Sequence, residues 1–499
     1  MIFCDCAVKV FHFFKWILKL FTDRSSFKLN KKNNDDIYIG KRTLEQHLLE
    51  ADICQPFYIK ELLSKQDWSI FENKHQNKGR KPYKPQLMVG LIFYGLMQGI
   101  SSLRDLERLA RVDLGCLLIT GGIFPDFSSI GYFIRRHQDI LIDEFFINLT
   151  KAILKITRSG VRELAGDGTI IEAAASRYRL MRQELVEKNY EELKTKSSAH
   201  PEDQKLAAAT EKMEQASKII QTRIDKRKAQ HKSIETVTIN PIEPEAVVQP
   251  TKKGKNSVPA YKPSVLANEA RIVVAIDVHP SNEIESLMSM LDKTSQLDGE
   301  VKELLLDGGY ESIEVLEESI KRDISVLCTS GGKSKKSAHH AAKHQIKKSD
   351  FTYDERTDSY TCPQGQQLTP LRKGKATATT PAYQTYSTKA CSECPIKNRC
   401  TTSNKGRQLK RFEGDELKEA LKVVMEQPQA QKKLRQRKAM VEPVFSHLRM
   451  RQNFNRFKRK GLKKVKVEFA LQIMAYNISR AIARYFLFKY IKVIIISLR

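Results

Sequence analysis

Glu303-Leu304-Leu305-Leu306-Asp307-Gly308-Gly309-Tyr310 reads as a buried strand that ends in an Asp-Gly turn. An apolar run without polar alternation belongs inside a sheet covered on both faces. Downstream, the pattern predicts a helix over 311–321 and a strand at Ile324-Ser325-Val326-Leu327. Upstream, Leu164-Ala165-Gly166-Asp167-Gly168-Thr169-Ile170 is a short strand with an Asp near its end. Further strands are expected at Ser264-Val265-Leu266-Ala267 and Arg271–Asp277, then a helix over 282–297. Strands alternating with helices imply an α/β core with a mixed sheet, over 161–328 and 411–480.

Three segments interrupt or flank that core. Residues 43–160 are helical in period, which gives an all-α N-terminal domain. Residues 177–260 read as an insertion. Leu180, Leu185, Leu193, Leu206, Met213, Ile219 and Ile220 are spaced for a helical hairpin, and the prolines from Pro241 to Pro263 mark a flexible connector. Residues 329–410 form a basic and Cys-rich insertion, with a β-hairpin from Phe351 to Cys362 that turns at Glu355-Arg356. An apolar and basic segment (1–42) precedes all of this, and an apolar tail (481–499) follows it.

The chain has 499 residues, enough for several cored domains, and its apolar content of 41% is that of a globular protein. The net charge is +28, which favours a nucleic-acid partner. Lysines interrupt both apolar ends well before the ~20 apolar residues a membrane span needs. No small-residue cleavage site follows the first segment. With nine cysteines, an odd total, a reducing cytoplasmic setting and no membrane role are expected.

From Gln427 to Lys466 there are fourteen Lys or Arg and a single acid, Glu442. At helical spacing Arg435, Lys438, Glu442 and Arg449 share roughly one face, while Val441, Val444, Phe445 and Leu448 form the apolar one. Beside phosphates a lone carboxylate would be repelled unless a divalent cation bridged the two. A solvated amphipathic helix with one stray Glu is the plainer alternative. Arg435, Lys438, Arg449, Arg451, Arg456, Lys458, Arg459 and Lys460 are the cations expected to grip DNA phosphates. Pro443 disfavours helical geometry at Glu442, so a kink or a helix start is expected there.

Asp167 and Asp307 both end predicted strands, where open α/β sheets place their sites. Three carboxylates in one pocket would repel one another, and Mg²⁺ (or Mn²⁺), a hard cation wanting oxygen ligands, would relieve that. Asp-Gly after a strand is equally a common turn. Taken together, the motifs resemble the DDE transposases of bacterial insertion sequences. The resemblance rests on Gly79-Arg80-Lys81-Pro82-Tyr83-Lys84-Pro85, Gly99-Ile100-Ser101-Ser102-Leu103-Arg104-Asp105-Leu106-Glu107 and Pro125-Asp126-Phe127-Ser128-Ser129. Asp167-Gly168-Thr169, Asp307-Gly308-Gly309-Tyr310 and Val441-Glu442-Pro443-Val444-Phe445 complete it.

That resemblance implies an RNase H-like core and a metal-binding triad of Asp167, Asp307 and Glu442. It also implies binding to terminal inverted repeats, Mg-dependent cleavage and strand transfer into target DNA, by a dimer or higher oligomer on double-stranded DNA in a bacterial nucleoid. The family's Tyr-Arg-Glu-Lys signature is altered here, with Arg435, Lys438 and Arg449 at its outer positions. A catalytically inactive or domesticated DNA-binding protein is the alternative. Finally, Cys362-x28-Cys391-x2-Cys394-x5-Cys400 suits a structural Zn²⁺ site or four unliganded thiols.

Overall fold

The computed structural model describes residues 37–72, 82–250, 257–329, 346–377 and 381–497. The expected N-terminal apolar helix, Cys4, Cys6 and the Lys/His-rich run from Lys333 to His344 lie outside the described residues. A short hairpin of β1 (Tyr38–Ile39) and β2 (Arg42–Thr43) leads into the helical region. Its helices are α1 (Leu44–Glu50), α2 (Gln55–Ser64), α3 (Ser69–Glu72), α4 (Pro85–Met97), α5 (Leu103–Val112), α6 (Leu114–Thr120), α7 (Phe127–Arg136), α8 (Gln138–Ile142) and α9 (Glu144–Thr157). Helix starts follow the side chains: Thr43 and Gln46 form a capping box, and Asp113 and Asp126 each accept a backbone N–H. Pro85 opens α4, where its missing N–H costs nothing. Trp68, Phe71, Phe133 and Phe145 pack ring to ring beneath these helices.

The main sheet is built around β6 (Ser257–Asn268). On one side β6 pairs antiparallel with β3 (Glu163–Gly168), on the other with β7 (Val273–His279). β8 (Glu303–Leu306) lies parallel beside β3, and β9 (Ser325–Cys328) parallel beside β8. The core order is therefore β7-β6-β3-β8-β9. Its outer half carries β4 (Ile171–Glu172) and β5 (Val247–Pro250), both paired with the start of β6. Leu304, Leu305 and Leu306 are fully buried, as their apolar run predicts.

Between β4 and β5, α10 (Gln183–Ala199) and α11 (Gln204–Ala229) form the expected hairpin. It has a small core of its own: Val186, Ala216, Ile220, Ile224 and Ile239. The proline-rich stretch behaves otherwise than its composition suggests, because much of it is β5 and the start of β6. Proline lacks an N–H, so it is expected only where no donor is needed. Here the carbonyls do the pairing: Pro259 accepts from Ala173 N at 2.9 Å, and Pro263 from Thr169 N at 2.9 Å.

Beyond β9 lies a separate antiparallel meander: β10 (Thr352–Asp354), β11 (Ser359–Thr361), β12 (Gln367–Gly374), β13 (Tyr383–Ser387) and β14 (Leu409–Phe412). Phe351, Tyr360, Leu368, Tyr386 and Leu409 form its core. The chain then returns to the main sheet through α15 (Asp415–Glu426) and α16 (Pro428–Met450), counting the one-turn α14 (Lys397–Cys400) in the meander. The helix after β7 is α12 (Glu283–Thr294), and α13 (Ile313–Lys321) joins β8 to β9.

The last helix, α17 (Leu462–Ser497), continues through the segment read as a separate tail. It packs on β7 and on α4, α8 and α9, so it ties the helical region to the sheet. Asn477 fixes it there. Its side chain accepts from Val273 N at 2.9 Å and donates to Val273 O at 2.7 Å. Among the described residues, no helix is long and apolar enough to cross a membrane.

Candidate active site

β3 and β8 run side by side with Ala165 opposite Leu305. Two residues further along each chain stand Asp167 and Asp307, so the two acids are level at the carboxyl ends of adjacent parallel strands. Asp307 is held by its turn: its Oδ1 accepts from Gly309 N at 2.8 Å, and its carbonyl accepts from the Cys328 thiol at 2.8 Å. Asp167 Oδ1 accepts from Gly168 N at 3.0 Å. Burial pushes the Asp167 carboxyl above its ordinary range. The Arg437 guanidinium opposes that, and the Asp307 and Glu283 carboxylates add to it.

α16 lies along these strands, and three side chains set its position. Lys433 pairs with Glu163 and Glu303 at the start of β3 and β8. Arg437 NH1 sits 3.5 Å from Asp167 Oδ1 and donates to Gly166 O at 3.3 Å. Arg449 donates to the Thr169 hydroxyl. Glu442 falls between the last two, about 7.5 Å along the axis from Arg437 at 1.5 Å per residue. Seven residues separate it from Arg449, which puts the two about 20° apart around the helix. Glu442 therefore shares the face that reaches Thr169, two residues beyond Asp167. It is exposed, and no described residue makes a hydrogen bond or ion pair with it.

The expected break at Pro443 does not occur. α16 is one helix from Pro428 to Met450 with Pro443 inside it. The lost N–H bond falls next to the exposed Glu442, while buried Val441, Val444 and Leu448 hold both halves on the sheet.

The structure thus brings Asp167 and Asp307 together and leaves Glu442 at the rim. Among the described residues, no three acidic, His or Cys side chains are grouped closely enough to hold a metal ion. Beside Asp307 opens a groove of about 710 Å³, lined by Thr329, Gln431, Arg435, Arg437 and Lys438 among others. Arg451, Lys458 and Lys460 are exposed. Arg456 instead holds the chain, donating to Ala173 O at 2.9 Å and Ala175 O at 2.8 Å. Burial lowers the Arg459 guanidinium pKa, with the buried Glu468 opposing that shift.

Arg437 was missed by sequence reasoning because it lies off the helical face shared by Arg435, Lys438 and Arg449; it points into the sheet. Cys328 reads as an isolated thiol, and only the fold puts it under Asp307. Of the four clustered cysteines, Cys362 and Cys400 pack on the meander core. Burial raises the Cys400 thiol; Arg407 opposes this, and the Cys391, Cys394 and Cys362 thiols add to it.

The structure is thus a mixed α/β protein in which two strand-end acids lie under a basic helix, joined to an N-terminal helical region. Residues 361–482 match the family described as Transposase DDE domain, and residues 49–136 match the one described as Transposase domain (DUF772). Both matches, over separate parts of the chain, are to transposase families, and they support an insertion-sequence DDE transposase. The first match takes in β12 to β14, Glu442 and the first part of α17, and the second covers much of the helical region. No curated protein and no solved structure matches the chain.

Proposed function

We propose that this transposase binds the terminal inverted repeats of its element, hydrolyses a phosphodiester at each end and joins the freed 3′-OH to target DNA. The observation that carries this is the level pair of Asp167 and Asp307 at the strand ends, under a helix that offers Glu442 among cations. The donor set suits a hard divalent ion. It is all oxygen, and Asp167 is a half-buried carboxylate close to two others with partial relief from one arginine. Asp167 and Asp307 would hold Mg²⁺ or Mn²⁺, and Glu442 would join them once a DNA end lies in the groove. A bound ion there supplies an activated water and stabilises the leaving 3′ oxygen.

The chain's own groups do the rest. Arg437 orients the Asp167 carboxylate. Arg449 and Thr169 set the distance between α16 and β3. Arg435 and Lys438 present charge to phosphates along the groove beside Asp307. The strand order β7-β6-β3-β8-β9, with only β6 antiparallel to its neighbours, supports an RNase H-like core. Two ends must be processed together, so the working form is a dimer or higher on double-stranded DNA in the cytoplasm, at the nucleoid. The rival reading, a DNA-binding protein without catalysis, draws on the outlying position of Glu442. Cleavage assays on end-bearing DNA separate the two.

The cations divide into testable sets. Arg435→Ala with Lys438→Ala should weaken binding to all sequences alike and lower the salt slope by about two, with no change in melting. Arg456→Ala should lower the melting temperature, because two carbonyls lose their donor. Equal salt slopes in wild type and the double variant would remove Arg435 and Lys438 from the interface.

We also propose that Cys362, Cys391, Cys394 and Cys400 hold a structural Zn²⁺. The four thiols lie on the turns around the meander, and the other three all act on Cys400; they are not grouped as a formed ligand set, so a bound cation would have to draw them together. Purified protein should carry about one zinc per chain, and chelation should lower the melting of the meander. An unchanged melting profile in metal-free protein would rule this out.

A further inference from the structure

A third carboxylate stands between the two aspartate turns, and it is not Glu442. Glu283 opens α12, and its Oε1 lies 3.1 Å from Lys262 Nζ. The two glycines that follow the aspartates show where its carboxylate sits. A Cβ on Gly168 would come within 3.0 Å of Glu283 Oε1, and one on Gly309 within 3.4 Å of Glu283 Oε2. The carboxylate is thus wedged between Asp167-Gly168 and Asp307-Gly308-Gly309. A side chain on Gly168 would press on it, and one on Gly309 would press on Asp307 Oδ1 at 3.0 Å.

A second observation points to a missing polar occupant. The Tyr310 hydroxyl and the Ser264 hydroxyl are both buried here, with residue exposures of 1% and 0%. The two hydroxyls face each other, and neither reaches any further hydrogen-bond partner within the protein. Ser264 Oγ would lie 3.1 Å from the same Gly168 Cβ that meets Glu283. The acids Glu283, Asp167 and Asp307 all act on the Tyr310 hydroxyl. Two buried hydroxyls with only each other as partner, beside three carboxylates, leave a donor and acceptors for water or a hydrated ion.

We propose that Glu283 is a positioning residue of the divalent-cation site, ordering water beside Asp167 and Asp307 while Lys262 balances its charge. This rests on the reading that those two aspartates hold the metal. It gives Glu283 two effects. It would add negative potential at a bound ion, and it would order water between the two aspartate turns.

The test is Mn²⁺ binding to the full chain by titration calorimetry, in wild type, Glu283→Gln, Glu283→Asp and Asp307→Asn. Glu283→Gln keeps the shape and the contact with Lys262 but loses the charge. It should weaken Mn²⁺ affinity roughly 10-fold, leave metal-free melting and DNA binding unchanged, and regain cleavage as Mg²⁺ is raised. Glu283→Asp keeps the charge and should bind within a few-fold of wild type, which a purely structural role would not predict. Wild-type affinity in Glu283→Gln, with loss in Asp307→Asn, overturns this inference alone. Wild-type affinity in Asp307→Asn, or no Mn²⁺ uptake by wild type, overturns the underlying reading as well.

Discussion

Asp307→Asn should abolish Mg²⁺-dependent cleavage of element ends, a fall of roughly three orders of magnitude or more, while repeat binding is kept. The substitution is nearly isosteric, and Asn can still accept from Gly309 N, so the turn that holds residue 307 survives. What is lost is one negative oxygen beside Asp167. The partner substitution, Asp167→Asn, should be equally inactive but differ in stability. The Asp167 carboxyl is held above its ordinary range, chiefly by burial. A carboxyl raised in this way costs the fold nothing below its unfolded-state pKa. The cost grows as pH rises through the raised folded value and is full above it. Metal-free Asp167→Asn should therefore melt no lower than wild type at neutral pH. Cleavage assays and differential scanning fluorimetry check the two halves; an Asp167→Asn chain that melts much lower would make this residue structural.

Asn477→Ala should destabilise the protein by about 2–4 kcal/mol. Asn477 is buried and satisfies both the N–H and the C=O of Val273, at the start of β7. Alanine leaves both backbone groups dry and unpaired. Because α17 also packs on the helical region, the loss should loosen the join between the two parts of the molecule. Hydrogen exchange should rise at β7 and α17 together, with a lower apparent Tm. Unchanged protection of β7 would show that the helix is held by its apolar face alone.

Part of the core was legible because β3 and β8 are short apolar runs ended by Asp-Gly. The strands at Glu303–Leu306 and Ser325–Cys328, the helix around 283–294 and the hairpin turning at Glu355-Arg356 all appear near their expected places. β5 and the start of β6 were not legible. Their prolines signal a connector, and only tertiary pairing shows that the proline carbonyls are the groups in use. Pro443 misled for a similar reason, since burial of α16 on the sheet outweighs a local preference.

The candidate site was legible in its two aspartates and its basic helix. Arg437 and Glu283 were not, because their roles depend on which strands are neighbours. A glutamate at a helix start reads as ordinary first-turn charge. The glycines beside it reveal its place only once Asp167 and Asp307 are level.

The most direct test of the account replaces Asp167, Asp307 and Glu442 in turn by Cys and measures end cleavage in Mg²⁺ and in Mn²⁺. A thiolate is a poor ligand for Mg²⁺ and a better one for Mn²⁺. If all three side chains touch the ion during reaction, each variant should be inactive in Mg²⁺ and partly restored in Mn²⁺. A Glu442→Cys chain that cleaves normally in Mg²⁺ would contradict the account, leaving a two-aspartate site with Glu442 outside the chemistry.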